Sequence, residues 1–502
     1  MIYHLTSSKD AYITNKVIGG TRRATAANVG YASTIDLFKL HNESSMKGET
    51  GDIQELSRGL LYFDLDSLET SLATKVASND ASLKIELVLK DIQGTQVAPS
   101  QFDLELYPLK QTFDEGLGTD VIGFTELDAA NWISSSLGVR WNATDTSGTD
   151  GVWDAPGGWW NTLWTDVHAD GYVAKQTFTK GYEDLRMDIT SYVKDYWAED
   201  VDSGSTTVTN NGWILKFNST KETDAKTYFV KRFASRHSKN KFIIPRIEVS
   251  WSDYVLDDRL DFETGKANDL YIKNFSNGIA TAYSETLATY PLTCTLTTGS
   301  FSTYATTVAP ESVSGITQVG MYKVNMPSIQ AADTLLVEHL NTSGSITLQE
   351  RWTIDTRLVY SGSVELKRQT SSASTQARNL RIAVKEVEAS YDRSEYPVLR
   401  LFIEDRNASM RAVRQLIELK SLKLEKVYYQ IKDANNGIII IPFSDTLSTP
   451  TEYTRLSADE QGMYFSFPAS VCPHGKTYTV DIAYYDYGQR RVHESNIAFK
   501  VI

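Results

Sequence analysis

Six tryptophans crowd between Trp132 and Trp164, and five cations with no acid among them lie between Lys231 and Lys241. These are the densest groupings of chemistry-bearing side chains in the 502-residue chain. Asp114, Glu115 and Asp154 stand near the first group, and two carboxylates on opposite sides of a glycosidic bond are what its hydrolysis needs. Nothing in their spacing enforces that geometry, so they are expected to be ordinary loop acids. The histidines, His4, His41, His168, His237, His339, His474 and His493, are dispersed without HExxH, HxH or His/Cys ligand spacing. Cys294 and Cys472 are far apart in sequence. Nucleophile elbows, phosphate loops and dinucleotide glycine patterns are missing as well. The expectation is a protein that is not an enzyme, with no metal site and no cofactor.

The tryptophan cluster surrounds Ala155-Pro-Gly-Gly158, a backbone stretch that regular strand and helix exclude, so Trp132, Trp141, Trp153, Trp159, Trp160 and Trp164 belong to a rim loop. Three readings are open. The rings fold back as a small core over a sheet, or anchor a protein interface, or stack on sugars. Leaving all six in water in a monomer would forgo several kcal/mol of burial, at roughly 25 cal/mol per Å².

The strip Lys231-Arg-Phe-Ala-Ser-Arg-His-Ser-Lys-Asn-Lys241 offers Lys231, Arg232, Arg236 and Lys239 as a clasp for an acidic neighbouring subunit. The competing reading makes Arg236 a buried arginine paired with a carboxylate such as Asp64, and the lysines a solvated turn.

The elements that must position these groups read as strands. Alternation of apolar and polar residues recurs in Leu83-Lys-Ile-Glu-Leu-Val-Leu89, Phe102-Asp-Leu-Glu-Leu-Tyr107, Ile247-Glu-Val-Ser-Trp251, Ser345-Ile-Thr-Leu-Gln-Glu350 and Tyr478-Thr-Val-Asp-Ile-Ala-Tyr484. Turn clusters at 146–151, 202–205 and 435–437 separate such runs, a spacing that suits antiparallel sandwiches. One short helix is expected over 188–197, with Val193 and Trp197 on one face; 410–420 reads equally as a helix or as two strands. Asn435-Asn-Gly437 predicts a hairpin, because both turn residues tolerate positive φ. The four isoleucines Ile438 to Ile441 predict a strand buried on both faces, central to its sheet or covered by a neighbour.

Length predicts about three domains. Nine of ten tryptophans lie between Trp132 and Trp251, which sets the N-terminal half apart, and 369–377 is a small-residue linker. The expected domains are 1–252, 253–368 and 378–502, the last two of immunoglobulin-like size. A formal charge of -13 disfavours nucleic acid as a partner. No apolar run reaches the roughly 18 residues of a membrane span, and the start has no leader pattern, so a soluble protein made in a cytosol is expected.

Read in order, Ser8-Lys-Asp-Ala-Tyr-Ile13, Asn28-Val-Gly30, Ser57-Arg-Gly-Leu-Leu-Tyr-Phe-Asp-Leu65, Ala81-Ser-Leu-Lys-Ile-Glu-Leu87, Asp188-Ile-Thr190, Gly212-Trp-Ile-Leu215, Ser235-Arg236 and Pro245-Arg-Ile-Glu-Val249 resemble the DNRLRE-type module, a jelly roll related to carbohydrate-binding domains. The tryptophan insert departs from that pattern. Together with Arg232-Phe-Ala-Ser-Arg-His-Ser-Lys-Asn240, Pro397-Val-Leu-Arg-Leu-Phe-Ile-Glu-Asp-Arg406, Tyr428-Tyr-Gln-Ile-Lys-Asp433, Ile438-Ile-Ile-Ile-Pro-Phe443 and Gly462-Met-Tyr-Phe-Ser-Phe467, the chain resembles virion structural proteins of tailed bacteriophages. The expected fold is therefore all-β, with the N-terminal jelly-roll sandwich that the resemblance implies followed by the two immunoglobulin-like sandwiches that strand spacing and domain size suggest. The resemblance implies a structural component of the virion, made in the host cytoplasm, whose partners are copies of itself and other virion proteins. The rival expectation is an adhesin or tail-fibre module that recognises host polysaccharide through its tryptophan loops.

Overall fold

Every alternating run named above forms a strand in the computed structural model, which is 47% strand and 8% helix. The structure describes residues 1–93, 99–123, 128–144, 152–154, 157–158, 160, 172–198, 209–284, 289–299, 304–327, 334–368, 378–407, 421–447, 451–486 and 488–502. The expectations for 146–151, 202–205, 369–377 and 410–420 lie outside the described residues. The chain divides into two compact units, one of Tyr3–Ala73 and Leu83–Val249, the other of Met1–Ile2, Thr74–Ser82 and Ser250–Ile502.

The first unit is a two-sheet sandwich. One sheet runs in the order Ile2–Thr6, Arg246–Ser250, Lys84–Leu89, Leu185–Asp188. The other runs Ala174–Phe178, Phe102–Pro108, Trp213–Phe217, Gln54–Tyr62, Thr34–His41, Tyr228–Ala234, with Lys9–Thr14 also paired to Gln54–Tyr62. First and last strands lie side by side, and most neighbours are far apart in sequence. Alternation puts Ile85, Leu87 and Leu89 of one sheet and Leu104, Leu106, Leu215 and Phe217 of the other into the core, all fully buried. The helix Leu65–Leu72 starts where Asp64 accepts from Ser67 N at 3.1 Å. The expected helix forms as Thr190–Trp197, with Tyr192 and Val193 buried. Asp188 accepts from Thr190 N just ahead of it, at 3.0 Å.

The second unit holds two further sandwiches. In the first, the sheet Asn268–Lys273, Ile316–Met326, Ala309–Val313 and the sheet Tyr304–Thr307, Leu292–Thr297, Ser345–Ile354, Arg357–Lys367 share a core of Leu270, Val324, Leu292, Cys294, Trp352 and Leu366. In the second, one sheet is Leu380–Lys385, Val398–Asp405, Gly462–Ser466, Ser457–Asp459. Its partner sheet is Ser390–Tyr391, Gln489–Val501, Thr477–Asp486, Val427–Asp433, Ile439–Ile441. Tyr429 of one sheet stacks on Phe465 of the other with centroids 4.4 Å apart.

The hairpin at 435–437 forms. Asp433 Oδ1 accepts from Asn435 N at 2.8 Å, Gly437 N donates to Asp433 O at 2.9 Å, and Gly437 has φ of 70°. The isoleucine strand departs from expectation. It ends its sheet, Ile441 alone is fully buried, and Ile438 and Ile439 are 40% and 52% exposed. An apolar run with no polar alternation reports hydrophobicity but not which strands flank it, so a short edge strand reads like a central one.

Candidate functional site

In the tryptophan insert, Trp141 is fully buried and donates Nε1–H to Asn131 O at 2.8 Å, and Trp132 is buried beside it among Ile13, Leu60, Phe113 and Ile214. Trp160 forms an antiparallel bridge with Leu109 and packs, half-buried, on the same cluster. The described rings therefore make a small core on the face of the large sheet. Trp153 pairs through its backbone with Ala143; its side chain, like Trp159 and Trp164, lies outside the described residues.

Below these rings sits a buried polar floor. Arg58 gives Nε and Nη2 to the two carboxylate oxygens of Glu222, both at 2.9 Å, and Nη1 to Gly157 O at 2.7 Å. Its guanidinium reaches the rings of Trp132 and Trp160 at 5.1 and 5.0 Å. Lys216, 1% exposed, stands 3.5 Å from Glu222 and 5.4 Å from the rings of both Tyr107 and Trp160. Burial lowers the pKa of this ammonium. Tyr107 donates to Glu105 at 2.8 Å, which completes the floor.

The basic strip is dispersed by the fold. A register shift between Tyr228 and Lys231 turns Lys231 inward, so it is not part of a solvated turn and offers nothing to a neighbour. It binds Asp91 at 2.5 Å and the carbonyls of Gly181 and Glu183, both at 2.8 Å. Burial lowers its pKa too. Arg232 makes a two-point pair with Asp36 at 2.7 and 2.6 Å. Arg236 is paired within the chain, but it is only half-buried and its carboxylate is Glu115 rather than Asp64, at 2.5 and 2.6 Å. Asp64 is spent on its helix cap. Lys239 and Lys241 are exposed.

Glu115 anchors a junction of four segments. It also accepts from Asp10 N at 3.0 Å and lies 3.3 Å from His237 Nε2. Asp10 Oδ2 accepts from Arg236 N at 2.7 Å. Asn28 closes the junction, giving its amide to Glu115 O at 2.8 Å and accepting from Gly118 N at 2.9 Å. Gly30 is required there, since a Cβ would land 1.7 Å from Glu115 O. Glu115 is fully engaged, which removes it from the acid and base pair considered above; the Asp154 side chain lies outside the described residues.

The outer face of the four-stranded sheet carries Glu248, which binds Arg186 at 2.6 Å and Arg246 at 2.7 Å. His4 lies 3.7 Å from Glu248, and burial drops its pKa to about 3. In the second unit Arg259 pairs with Glu350 at 2.9 and 2.5 Å and also with Asp257. Burial raises the Asp257 carboxyl to about 6. Among the described residues no group of three or more His, Cys, Asp and Glu side chains is placed to hold a metal ion. Among them, too, no helix is long and apolar enough to cross a membrane.

The buried lysines escaped the sequence reading. Lys39, fully buried against Asp224 at 2.9 Å, and Lys216 each sit inside an apolar run, Leu37-Phe-Lys-Leu40 and Trp213-Ile-Leu-Lys-Phe217. A lone cation in such a run is the signal that could have found them.

No family model matches the chain, and no curated protein matches it. Among solved structures, the fibronectin domains FN1–FN3 of chicken CNTN1 match at 10% identity, covering 57% of this chain and 87% of theirs, with a TM-score of 0.15. The Ig1-2 module of the Drosophila receptor protein tyrosine phosphatase DLAR matches at 8% identity over 50% of this chain and 94% of its own, with a TM-score of 0.13. Dimeric latent PorU from Porphyromonas gingivalis matches at 8% identity over 94% of this chain and 34% of its own, with a TM-score of 0.18. Likenesses this slight carry no weight. The all-β sandwich class rests on the sheets themselves.

Proposed function

We propose that the protein is a non-enzymatic structural component of a tailed-bacteriophage particle, working through surfaces that its sandwiches offer to copies of itself and to other virion proteins. The observation that carries this reading is an uncharged apolar finger in the second unit. Phe275 and Ile279 flank the Asn277-Gly278 turn of a hairpin and are 58% and 71% exposed. Val319, 63% exposed, is held beside them by the bond from Asn274 N to Gly320 O at 2.7 Å. Large apolar side chains gathered at a hairpin tip are a contact surface awaiting a partner. The cations that a ligand reading would recruit, Lys231, Arg232 and Arg236, are neutralised internally. The motif order from Ser8 to Val249, taken together with the stretch from Arg232 to Asn240 and the C-terminal runs at 397–406, 428–433, 438–443 and 462–467, supports the phage reading.

Mass spectrometry of purified, disrupted particles tests it: the chain is expected there, cross-linked to itself or to other virion proteins. Its absence from particles, together with a monomeric purified protein, overturns the reading. The alternative, a module for host polysaccharide, draws on the tryptophan insert. It predicts glycan affinity that Trp159→Ala and Trp160→Ala together abolish while unfolding stays cooperative.

A further inference from the structure

We propose that Asp10 is a proton-operated latch that holds the loop around Glu115 to the strand Lys9–Thr14 and to the turn at Arg236, closing when its carboxyl is protonated and loosening when it ionises. The argument begins with what Asp10 lacks. It is 1% exposed, its Oδ2 accepts from Arg236 N and, at 3.3 Å, from Ser7 Oγ, and among the described residues its Oδ1 has no partner. Two donors meet Oδ2 and none meets the buried Oδ1, so the ionised carboxylate is compensated for its lost water on one oxygen only.

Its neighbours offset that charge only in part: the Arg236 amide and guanidinium and the Ser7 hydroxyl favour the ionised form, while burial and Glu115 oppose it more strongly. From the loop, Glu115 adds a second negative charge; Asp114 is beside it in sequence, its own amide bound to Ser135 O. From the turn, the Arg236 guanidinium gives both of its short bonds to Glu115, and His237 Nε2 also faces Glu115. From the strand, Lys9 turns away and donates to Phe113 O at 3.1 Å. From the loop that follows Asn28, the Tyr31 ring meets His237 at a tilt with centroids 4.2 Å apart, and Tyr31 donates its amide to Gly118 O at 2.8 Å. Protonation is what remains to neutralise Asp10. Burial, with Glu115 adding to it, raises its carboxyl to about 7.

The linkage has a definite sign. With the junction closed, Asp10 holds its proton up to about pH 7; opened to water, it titrates near 4. Between those values the closed state carries a proton that the open state has lost. The opening constant therefore rises about tenfold per pH unit and levels off above pH 7. The surface under this control carries Tyr31 and Leu117, which are 52% and 66% exposed.

The test is amide hydrogen exchange of the full chain, read by mass spectrometry from pH 5 to 8.5 and divided by the intrinsic rate at each pH. Peptides containing the amides of Asp10, Tyr31, Gly118 and Arg236 are expected to lose about 100-fold in protection between pH 5 and 7 and then level off. A peptide from Lys84–Leu89 serves as the control for global opening. Asp10→Asn is expected to remove the dependence. His237→Gln is expected to retain it, which separates Asp10 from the nearby imidazole and decides the question even if Asp10→Asn does not fold. Protection that ignores pH in the wild type, or a dependence that vanishes with His237→Gln, overturns the proposal.

Discussion

Arg58 and Glu222 meet end to end, two nitrogens on two oxygens at 2.9 Å, beneath a lid made by Trp132 and Trp160. Both partners are buried, and removing one leaves an uncompensated charge. Arg58→Ala is expected to destabilise the first unit by about 3 to 5 kcal/mol. Urea unfolding followed by tryptophan emission, which comes mostly from this unit, measures it. Arg58→Lys keeps the charge but loses the fork geometry, so it should fall between the two. A loss below about 1 kcal/mol for the alanine variant would show that the floor does not hold the insert down.

Trp160 separates the readings of the insert. Its ring covers Arg58 and Lys216, so Trp160→Ala alone should cost about 1 to 3 kcal/mol, less than for a fully buried ring. If stability is unchanged while affinity on a glycan array disappears, the ring is a sugar platform and not a structural cover.

Acid should weaken the first unit through His4. Its folded pKa, about 3, lies below the unfolded value near 6.5, so the unfolded chain takes up a proton that the folded one refuses. The contribution is complete above pH 6.5 and is lost as pH falls towards 3, by up to about 1.4 kcal/mol per unit. Glu248, held below the usual carboxylate range by Arg246, His4 and Arg186 despite its burial, acts in the same direction at lower pH. The stability difference between wild type and His4→Gln, measured by urea unfolding at pH 4 to 7.5, should therefore shrink steadily with acidification. A constant difference refutes the assignment.

Two isoleucines at the two ends of one short strand should respond very differently to the same change. Ile441 is fully buried, and Ile441→Asp is expected to prevent the C-terminal sandwich from folding. Ile439 is half exposed on an edge strand, so Ile439→Asp should alter stability by no more than about 0.5 kcal/mol in urea unfolding. A loss for Ile439→Asp as large as that for Ile441→Asp would show that this edge is covered in the folded chain.

Arg259 anchors the second unit in the same way that Arg58 anchors the first. Arg259→Met would strand Glu350, fully buried, and Asp257 without their cation, and a loss of about 3 to 5 kcal/mol is expected by calorimetry. Adding Glu350→Leu should recover part of that loss, because two apolar groups of suitable size pack without a desolvation penalty.

What the amino-acid sequence determined by itself is what depends on neighbours a few residues away. Alternation from Lys84 to Leu89 and from Thr477 to Asp486 set strands and their inner faces, and Asp433 to Gly437 set a hairpin, because the pleat and the turn are local geometries. The tertiary structure decided everything that depends on who comes to meet whom. Lys39 finds Asp224, Lys231 finds Asp91, Arg58 finds Glu222 and Arg236 finds Glu115 across 185, 140, 164 and 121 residues respectively. A strip that reads as free positive charge was thereby turned into internal ion pairs, and a run of isoleucines into an edge. Charge and hydrophobicity are properties of a residue; whether they face water, a carboxylate or nothing is fixed by strand order, which no local pattern encodes.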